Sequence, residues 1–162
     1  MEIRYLSSED DLHDLSSVYE KSWKFSYKEI LPQNYLDSIP AGQWAESVKR
    51  KGMYNLVVTE NGQIIGTCSF CHSRWEKYSN YGEIVSIYFL PEYIGKGFGK
   101  CLLEKAVAEL KKMKYKSIIL WVLEKNFRAR NFYEKNGFIF SGEHMDNIIG
   151  GKEVREVMYI RM

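Results

Sequence analysis

The fold of this chain is decided by residues 83–100, which read EIVSIYFLPEYIGKGFGK. The first eight residues form an extended apolar run that stops at Pro91, and this pattern predicts a β-strand. Three glycines follow at positions 95, 97 and 99, and a helical spacing of apolar residues starts at Phe98. The segment therefore predicts a strand, a glycine-rich turn and an amphipathic helix in immediate succession.

The segments before residue 83 predict a strand, several helices and a hairpin. Residues 54–60 and 63–72 flank Asn61-Gly62, a dipeptide that suits the positive φ angles of a type I′ turn. For the first helix, Ser7 or Ser8 is the predicted N-cap. The other elements predicted in this half are a strand over residues 3–6, a short helix through residues 35–36 and a helical piece over residues 43–50.

After the glycine turn, the pattern alternates between helix and strand. Residues 117–122 form a nearly continuous apolar run, as expected of a strand covered on both faces. Because a helix separates this strand from the one at residues 83–90, the two are predicted to be parallel. Asn126 and Gly137 are suited to begin and end the next helix, and a final antiparallel pair is predicted for residues 138–140 and 154–160.

These elements together predict an α/β fold. Its centre is a mixed, mostly antiparallel sheet of about seven strands, flanked by helices on its faces. One parallel β-α-β crossover lies next to the glycine turn.

Length and composition indicate one ordinary globular domain. The chain has 162 residues, of which 45% are hydrophobic and 27% charged, so residues 1–162 are expected to bury one core without disulfides or metal. The net charge of +2 argues against nucleic-acid binding. No apolar run approaches the roughly 20 residues of a membrane span, and residues 1–4 do not begin a secretory signal. We therefore expect a cytoplasmic protein without a membrane partner.

The three cysteines are expected to have no role in metal binding or redox chemistry. Their odd number argues against a disulfide framework. Cys68 and Cys71 have the C-x-x-C spacing, but they fall in a predicted strand and no second pair completes a tetrahedral site. The sequence therefore predicts no metal.

The glycine turn predicts a binding site for a phosphate group. Glycine lets the backbone approach a ligand closely and expose successive N–H groups, and the start of a helix adds partial positive charge. Lys96 and Lys100 add charged side chains. The spacing fits neither the nucleotide P-loop nor the dinucleotide motif G-x-G-x-x-G, so nucleotide binding is the weaker interpretation. A tight turn without a ligand is the remaining alternative.

Two motifs resemble the GNAT superfamily of N-acetyltransferases. The strand that ends at Pro91, with the glycine turn after it, looks like that family's acetyl-CoA pyrophosphate loop. The second motif has the pattern N-x-x-A-x-x-F-Y-x-x-x-G-F, which here comprises Asn126, Ala129, Phe132, Tyr133, Gly137 and Phe138. The resemblance covers residues 53–162 at the level of motifs. It implies an acetyl-CoA-dependent acyltransferase with no metal, and relatives of this kind often form homodimers.

The resemblance also implies which residues bind the co-substrate. The backbone of the strand before the loop is expected to bind the pantetheine arm, and the loop is expected to bind the pyrophosphate. Asn126 is expected to cap its helix and to contact the co-substrate as well. The family usually has Gln or Arg where this chain has Ile94, so altered contacts are expected there. The implied binding residues are Ile87, Tyr88, Phe89, Gly95, Lys96, Gly97, Phe98, Gly99, Lys100 and Asn126.

Acetyl transfer to an amine requires a proton acceptor for the amine and a proton donor for the departing thiolate. Tyr133 occupies the family's proton-donor position, although its helical spacing fits a core aromatic equally well. Glu83 opens the strand before the loop, where many similar proteins have an acid that removes the amine proton through ordered water. A solvated residue at a strand end is the alternative for Glu83. Both residues are predicted to be catalytic.

The amine acceptor is predicted to bind near the N-terminal helices, which shape the acceptor pocket in the resembling family. Aromatic residues are concentrated there, and Trp23 and Tyr27 are the candidates for contact with a cationic amine. Residues 1–50 have nine acidic and six basic side chains, a balance of −3 that favours a cation. The predicted function is acetylation of a small-molecule primary amine. The alternatives are a non-catalytic acyl-CoA sensor and a peptide N-terminal or lysine acetyltransferase.

Overall fold

The computed structural model describes residues 1–162 as one seven-stranded sheet with four α-helices. The strands are β1 (Glu2–Tyr5), β2 (Met53–Glu60), β3 (Gln63–His72), β4 (Gly82–Phe89), β5 (Ile118–Leu123), β6 (Ile139–Ile149) and β7 (Lys152–Arg161). The helices are α1 (Leu12–Ser26), α2 (Gln33–Ser38), α3 (Phe98–Lys112) and α4 (Phe127–Lys135). None of them combines the length and the apolar composition needed to cross a bilayer.

The strands lie in the order β1-β2-β3-β4-β5-β7-β6. Five of the neighbouring pairs are antiparallel, and β4 and β5 form the one parallel pair. Helix α3 connects these two parallel strands. The predicted α/β fold with a single parallel crossover is confirmed.

Helices α1 and α3 cover opposite faces of this sheet. On one face, the Tyr19 hydroxyl of α1 lies 2.9 Å from the Ser69 hydroxyl of β3. On the other face, Leu110 of α3 packs over Gly82 of β4, where no side chain intervenes. Both helices and the central strands contribute to one buried apolar cluster of 26 residues, and its burial is the main source of stability.

A β-bulge in β4 separates this strand from β5. Ser69 of β3 pairs with Ser86, but the next residue, Phe70, pairs with Ile84, so Val85 is an extra residue in β4. A bulge bends its strand and increases the local twist. The pairing of β4 with β5 covers only three residues and ends at Ile84. Beyond this point the two strands diverge and a cleft opens between them.

Turns and caps that depend on one or two residues agree with the sequence. Asn61 and Gly62 have φ angles of 51° and 80°, as a type I′ turn requires. Asn126 caps α4 by accepting a hydrogen bond from the backbone N–H of Ala129, and Gly137 after this helix has a φ angle of 82°. These features follow from local preferences of the backbone and are confirmed.

The predicted cap of α1 at Ser7 or Ser8 is wrong. The helix begins one turn later, where the Asp11 carboxylate accepts a hydrogen bond of 2.8 Å from the N–H of His13. The preceding Asp10 accepts two hydrogen bonds of 2.7 Å from the Arg4 guanidinium, which lowers the pKa of Asp10 to about 2. This ion pair holds the segment before the helix against β1 and so delays the helix start.

Two predicted elements differ from the structure in length. Residues 43–50 contain only a 3₁₀ turn at Ser47–Lys49 instead of a longer helix. Strand β6, predicted over residues 138–140, continues to Ile149. Because β6 lies at the edge of the sheet and pairs only with β7, most of its side chains are exposed and lack the apolar pattern by which strands are recognised.

Gly66→Ala is expected to lower the free energy of unfolding by about 1–3 kcal/mol, because a Cβ atom at this position of β3 would overlap the Phe89 ring on β4. Urea denaturation followed by fluorescence measures this loss. In the double variant with Phe89→Leu, the smaller side chain gives the new methyl group room, so the combined loss should be less than the sum of the two single losses. Strictly additive losses would contradict the proposed overlap.

Candidate active site

A cleft of about 890 Å³ opens where β4 and β5 separate. Its walls are formed by β4, β5, α1, α4 and the loop between β4 and α3. The glycine loop follows the C-terminal end of β4. At the opposite end of that strand, Glu83 accepts a hydrogen bond from the Arg74 side chain. The cleft therefore has a glycine-rich end and an end formed by aromatic and charged side chains.

The glycine-rich end presents open backbone at the start of α3. Gly95 and Gly97 have φ angles of 82° and 88°, and Gly97 is the N-cap residue of α3. A Cβ atom at either position would meet no other atom within 4 Å, so this side of the backbone is open. The Lys100 side chain also lines the cleft. Backbone N–H groups at the positive end of a helix are suited to bind an anionic group such as phosphate.

Three other loop residues predicted to bind the co-substrate, Lys96, Phe98 and Gly99, lie close to side chains of the protein itself. The Lys96 ammonium lies over the ring of Tyr93, 5.2 Å from its centre, and Lys96 does not line the cleft. Phe98 packs against the apolar core instead of the cleft. Gly99 lines the cleft, and a Cβ atom there would lie 3.4 Å from the ring of Phe132. The open part of the loop is therefore centred on the first two glycines.

Strand β4 supplies one wall of the cleft, and on the side of β5 this part of its backbone has no neighbouring strand. Ile87, Tyr88 and Phe89, which are predicted to bind the co-substrate, line the cleft and lie beyond the last pair between β4 and β5. The backbone groups on this side of β4 can therefore bind a ligand that contains amide groups, as a strand edge binds a peptide. Ile94, just after the strand, also lines the cleft.

Tyr133 of α4 lines the cleft. Its ring packs against the aromatic rings of Phe132, Phe138 and Tyr159, and its residue is 8% exposed. Burial raises the pKa of Tyr133 well above the usual value, and its hydroxyl forms no hydrogen bond with another protein group. The hydroxyl is therefore protonated at neutral pH and free to donate to a ligand. Asn126, at the start of the same helix, also lines the cleft.

Glu83 is buried behind the cleft wall and does not line it. Its side chain is 1% exposed, and its carboxylate accepts a hydrogen bond of 2.7 Å from Arg74 Nη2 and one of 3.0 Å from the Arg74 backbone N–H. The indole N–H of Trp75 also donates a hydrogen bond to this carboxylate, at 3.3 Å. Both carboxylate oxygens therefore have partners within the protein. The Arg74 side chain, by contrast, lines the cleft.

Trp23 and Tyr27 of α1, which are predicted to contact the acceptor, also line the cleft. Their rings pack edge to face with centres 5.0 Å apart. The Tyr27 hydroxyl lies 3.4 Å from the Tyr88 hydroxyl of β4, so the helix closes against the strand at this point. Burial is the main reason that the pKa of Tyr27 is raised to about 12, which keeps its hydroxyl neutral.

Sequence reasoning missed several residues that line this aromatic end. Arg74, Trp121 and Glu156 come from three different elements, and no local motif contains them. Arg128 also lines the cleft, and its guanidinium donates a hydrogen bond of 2.8 Å to Ser26 of α1. Only the register of β5 against β7 and the ion pair with Glu83 bring these side chains together.

None of the three cysteines lines the cleft. Cys68 and Cys71 are free and buried, and burial raises the pKa of Cys71 to about 11. Cys101 is free and exposed. No group of three or more His, Cys, Asp or Glu side chains is placed to hold a metal ion.

Known proteins with similar sequences are acetyltransferases. The chain is 33% identical over 147 residues to a spermidine N(1)-acetyltransferase of Thermoplasma acidophilum, which covers 85% of this chain and 88% of that protein. It is 40% identical over 84 residues to a [ribosomal protein bS18]-alanine N-acetyltransferase of Haemophilus influenzae, which covers 52% of this chain and 53% of that protein.

The fold is shared with a solved structure of the same kind. The PaiA N-acetyltransferase of Thermoplasma acidophilum, solved in complex with coenzyme A, superimposes with a TM-score of 0.76 at 26% identity, over 99% of this chain and 97% of that one. The model of the Acetyltransferase (GNAT) family matches residues 12–138. The family predicted from the two sequence motifs is therefore confirmed, and the chain belongs to the GNAT family of acetyltransferases.

Proposed function

We propose that this enzyme transfers an acetyl group from acetyl-CoA to the primary amine of a small molecule, with residues 1–162 acting as one domain. The observation that supports this most directly is the cleft itself. It combines an open glycine loop at a helix start, an unpaired strand edge and the protonated hydroxyl of Tyr133. The predicted homodimer and the predicted cytoplasmic location stay predictions.

The donor half of the cleft fits coenzyme A in chemistry and order. The backbone N–H groups around Gly95 and Gly97 would bind the pyrophosphate, with Lys100 beside them. The free edge of β4 would bind the amides of the pantetheine arm. Acetyl-CoA supplies an activated thioester, and binding in this direction brings that thioester to the middle of the cleft, beside Tyr133. The solved PaiA relative was crystallised with coenzyme A.

The reaction forms an amide C–N bond and breaks a thioester C–S bond, so the amine loses a proton and the departing sulfur gains one. We assign the proton that the sulfur gains to Tyr133, whose buried hydroxyl stays protonated at neutral pH and has no competing partner in the protein; Tyr133 then regains a proton from solvent, which receives the one that the amine loses. Direct attack by the amine needs no acyl-enzyme. Because no acyl-enzyme forms, the sulfur leaves while both substrates are bound, and its proton donor must already be in place. A fixed side chain in the cleft wall meets that requirement.

We propose Glu83 as the group that removes the amine proton through ordered water. Its buried carboxylate lies one residue layer behind the cleft, and Arg74 connects it to the cleft surface. Because Arg74 and Trp75 occupy both carboxylate oxygens, water would have to share an oxygen with one of these donors. A role for Glu83 in holding Arg74 in place is the alternative.

Two other functions remain candidates. A peptide N-terminal acetyltransferase is favoured by the partial similarity to the bS18-alanine enzyme. A non-catalytic acyl-CoA sensor would use the same loop and strand without an acceptor. Release of the coenzyme A thiol, measured over a panel of small amines and short peptides, separates all three. Coenzyme A binding without turnover on any of these acceptors would contradict the proposed enzyme and support the sensor.

Gly97→Ala is expected to weaken coenzyme A binding by about tenfold, which corresponds to about 1.4 kcal/mol, because alanine disfavours the φ angle of 88° and the loop must shift. Isothermal titration calorimetry with coenzyme A measures the affinity. The matched control is Gly52→Ala, which introduces the same strain at a φ angle of 83° in an open turn outside the cleft. Equal affinities in the two variants would argue against the glycine loop as the pyrophosphate site.

Tyr133→Phe is expected to lower kcat by about 100-fold and to leave coenzyme A affinity nearly unchanged, because only the proton donor is removed. Steady-state thiol release gives kcat, and calorimetry gives the affinity. Tyr54→Phe is the control, since it removes a hydroxyl from a partly exposed ring outside the cleft. A Tyr133→Phe enzyme with full activity would remove this side chain from the mechanism.

Glu83→Gln is expected to lower kcat/KM for the amine by about 100-fold because the proton acceptor is lost. Arg74→Gln keeps the carboxylate, so its loss should be smaller. Thiol-release kinetics on both variants provide the comparison, after thermal melts have confirmed that each one is folded. Equal losses would indicate that Glu83 acts by holding Arg74. Glu76→Gln, in the same loop but outside the cleft, controls for the change of charge.

A further inference from the structure

We propose that the amine substrate has a hydrogen-bond-accepting oxygen next to its primary ammonium group, as an α-amino acid, its amide or a peptide N-terminus does. Glu156 would hold the ammonium and the indole N–H of Trp121 would bind the oxygen. This inference rests on the proposed transfer of acetyl from acetyl-CoA to a primary amine, and it names the class of acceptor for the same site, whether that amine belongs to a small molecule or to a peptide.

Glu156 is the only carboxylate among the residues that line the cleft. The same lining contains four cationic side chains, namely Arg74, Lys100, Arg128 and Lys135. Of these, Arg74 is neutralised by Glu83, and Lys100 lies at the glycine-rich end. One free carboxylate can neutralise one ammonium group. A polyamine would bring further positive charges, for which the cleft lining has no second carboxylate and to which Arg128 is repulsive.

Glu156 is also held in place for this contact. It lies on β7 opposite Leu123, the last residue of β5, and both residues line the cleft. Oε2 of Glu156 accepts a hydrogen bond of 2.6 Å from the Asn147 amide of β6, whereas Oε1 accepts none from the protein. One oxygen thus fixes the side chain and the other is available for a charged donor, which forms the stronger kind of hydrogen bond.

Trp121 has a buried donor that no protein group satisfies. Its indole N–H has no hydrogen-bond partner, and its ring packs against Trp75 with centres 5.4 Å apart. Trp23 has a second buried and unpartnered indole N–H, but this one lies beside the Tyr88 hydroxyl. An unsatisfied buried donor is unfavourable and rare. An acceptor oxygen on the substrate would satisfy the donor of Trp121.

The two groups lie on the same face of the sheet at a spacing that suits one small molecule. Trp121 pairs with Met158 across β5 and β7, so Glu156, two residues earlier on β7, is its diagonal neighbour. Diagonal neighbours are about 7–8 Å apart at their Cα atoms and are within reach of long side chains. An ammonium and a carbonyl oxygen on adjacent carbon atoms can bridge such a pair, whereas an alkylamine can engage only the carboxylate.

Trp121→Phe tests the oxygen contact, because it keeps most of the ring and removes the donor. Its kcat/KM for L-alaninamide should fall by about five- to tenfold, while that for isopropylamine, which has no oxygen, should change by less than about twofold. In each enzyme, kcat/KM for L-alaninamide is divided by kcat/KM for isopropylamine. The ratio in Trp121→Phe is then compared with that in the unmodified enzyme, so the different basicity of the two amines cancels. Equal losses for both amines would mean that Trp121 only supports the cleft wall, and the inference would be wrong.

Glu156→Gln tests the ammonium contact. The KM for both amines should rise by about tenfold or more, with a smaller effect on kcat, since the loss is one of binding. Glu153→Gln is the matched control, because it removes the same charge from β7 outside this cleft and should leave both constants unchanged. An unchanged KM in Glu156→Gln, or a higher kcat/KM for spermidine than for L-alaninamide in the unmodified enzyme, would overturn the inference.

A comparison of three substrates identifies the kind of molecule that carries the α-amino group. L-Alanine, L-alaninamide and a short peptide beginning with alanine share the proposed chemistry and differ in the group bonded to the carbonyl carbon, so preference for any of them supports the inference. Turnover of isopropylamine without the expected effects of the two variants would contradict the inference and leave the proposed acetyltransferase intact. No thiol release with any amine would refute the proposed function, and the inference with it.

Discussion

The separation of β4 from β5 is the constraint on which the rest of this structure depends. Parallel strands that were paired along their full length would leave no space for a ligand between them. Here Val85 is an extra residue that bends β4, and the pairing stops at Ile84. The backbone groups beyond that point need partners. The break in the sheet thus produces both the space of the cleft and a row of donors and acceptors suited to an extended ligand containing amide groups.

Burial determines the chemical state of the side chains along this cleft. The Tyr133 hydroxyl stays protonated because the anion would be buried among aromatic rings. Glu83 can be 1% exposed because Arg74 and Trp75 donate hydrogen bonds to its carboxylate. The glycine loop is exposed and can meet a hydrated anion. The lining of one cleft therefore combines exposed backbone at the glycine loop with the buried, protonated hydroxyl of Tyr133.

The sequence predicted the parts of this fold that depend on local preferences. The turn at Asn61-Gly62 follows from the φ angles that these residues adopt, and Asn126 caps its helix because its side chain reaches the next free N–H group. The glycine turn was recognised for the same reason, whereas Tyr133 was singled out only because its motif resembles one of the GNAT family. Local preferences did not predict the start of the first helix, because a nonlocal contact competes with them. Asp10 binds Arg4, and the helix begins after Asp11 and not at Ser7 or Ser8.

By itself, the sequence determined the order of the elements, the parallel crossover and the glycine-rich end of the cleft, because each depends on residues that are adjacent in the chain. Only the tertiary structure decided which side chains form the acceptor end. Arg74, Trp121 and Glu156 are far apart in sequence, and they meet because of an ion pair and the register of two strands. That register is fixed by packing of the whole core, and a shift of one residue would turn Glu156 to the other face.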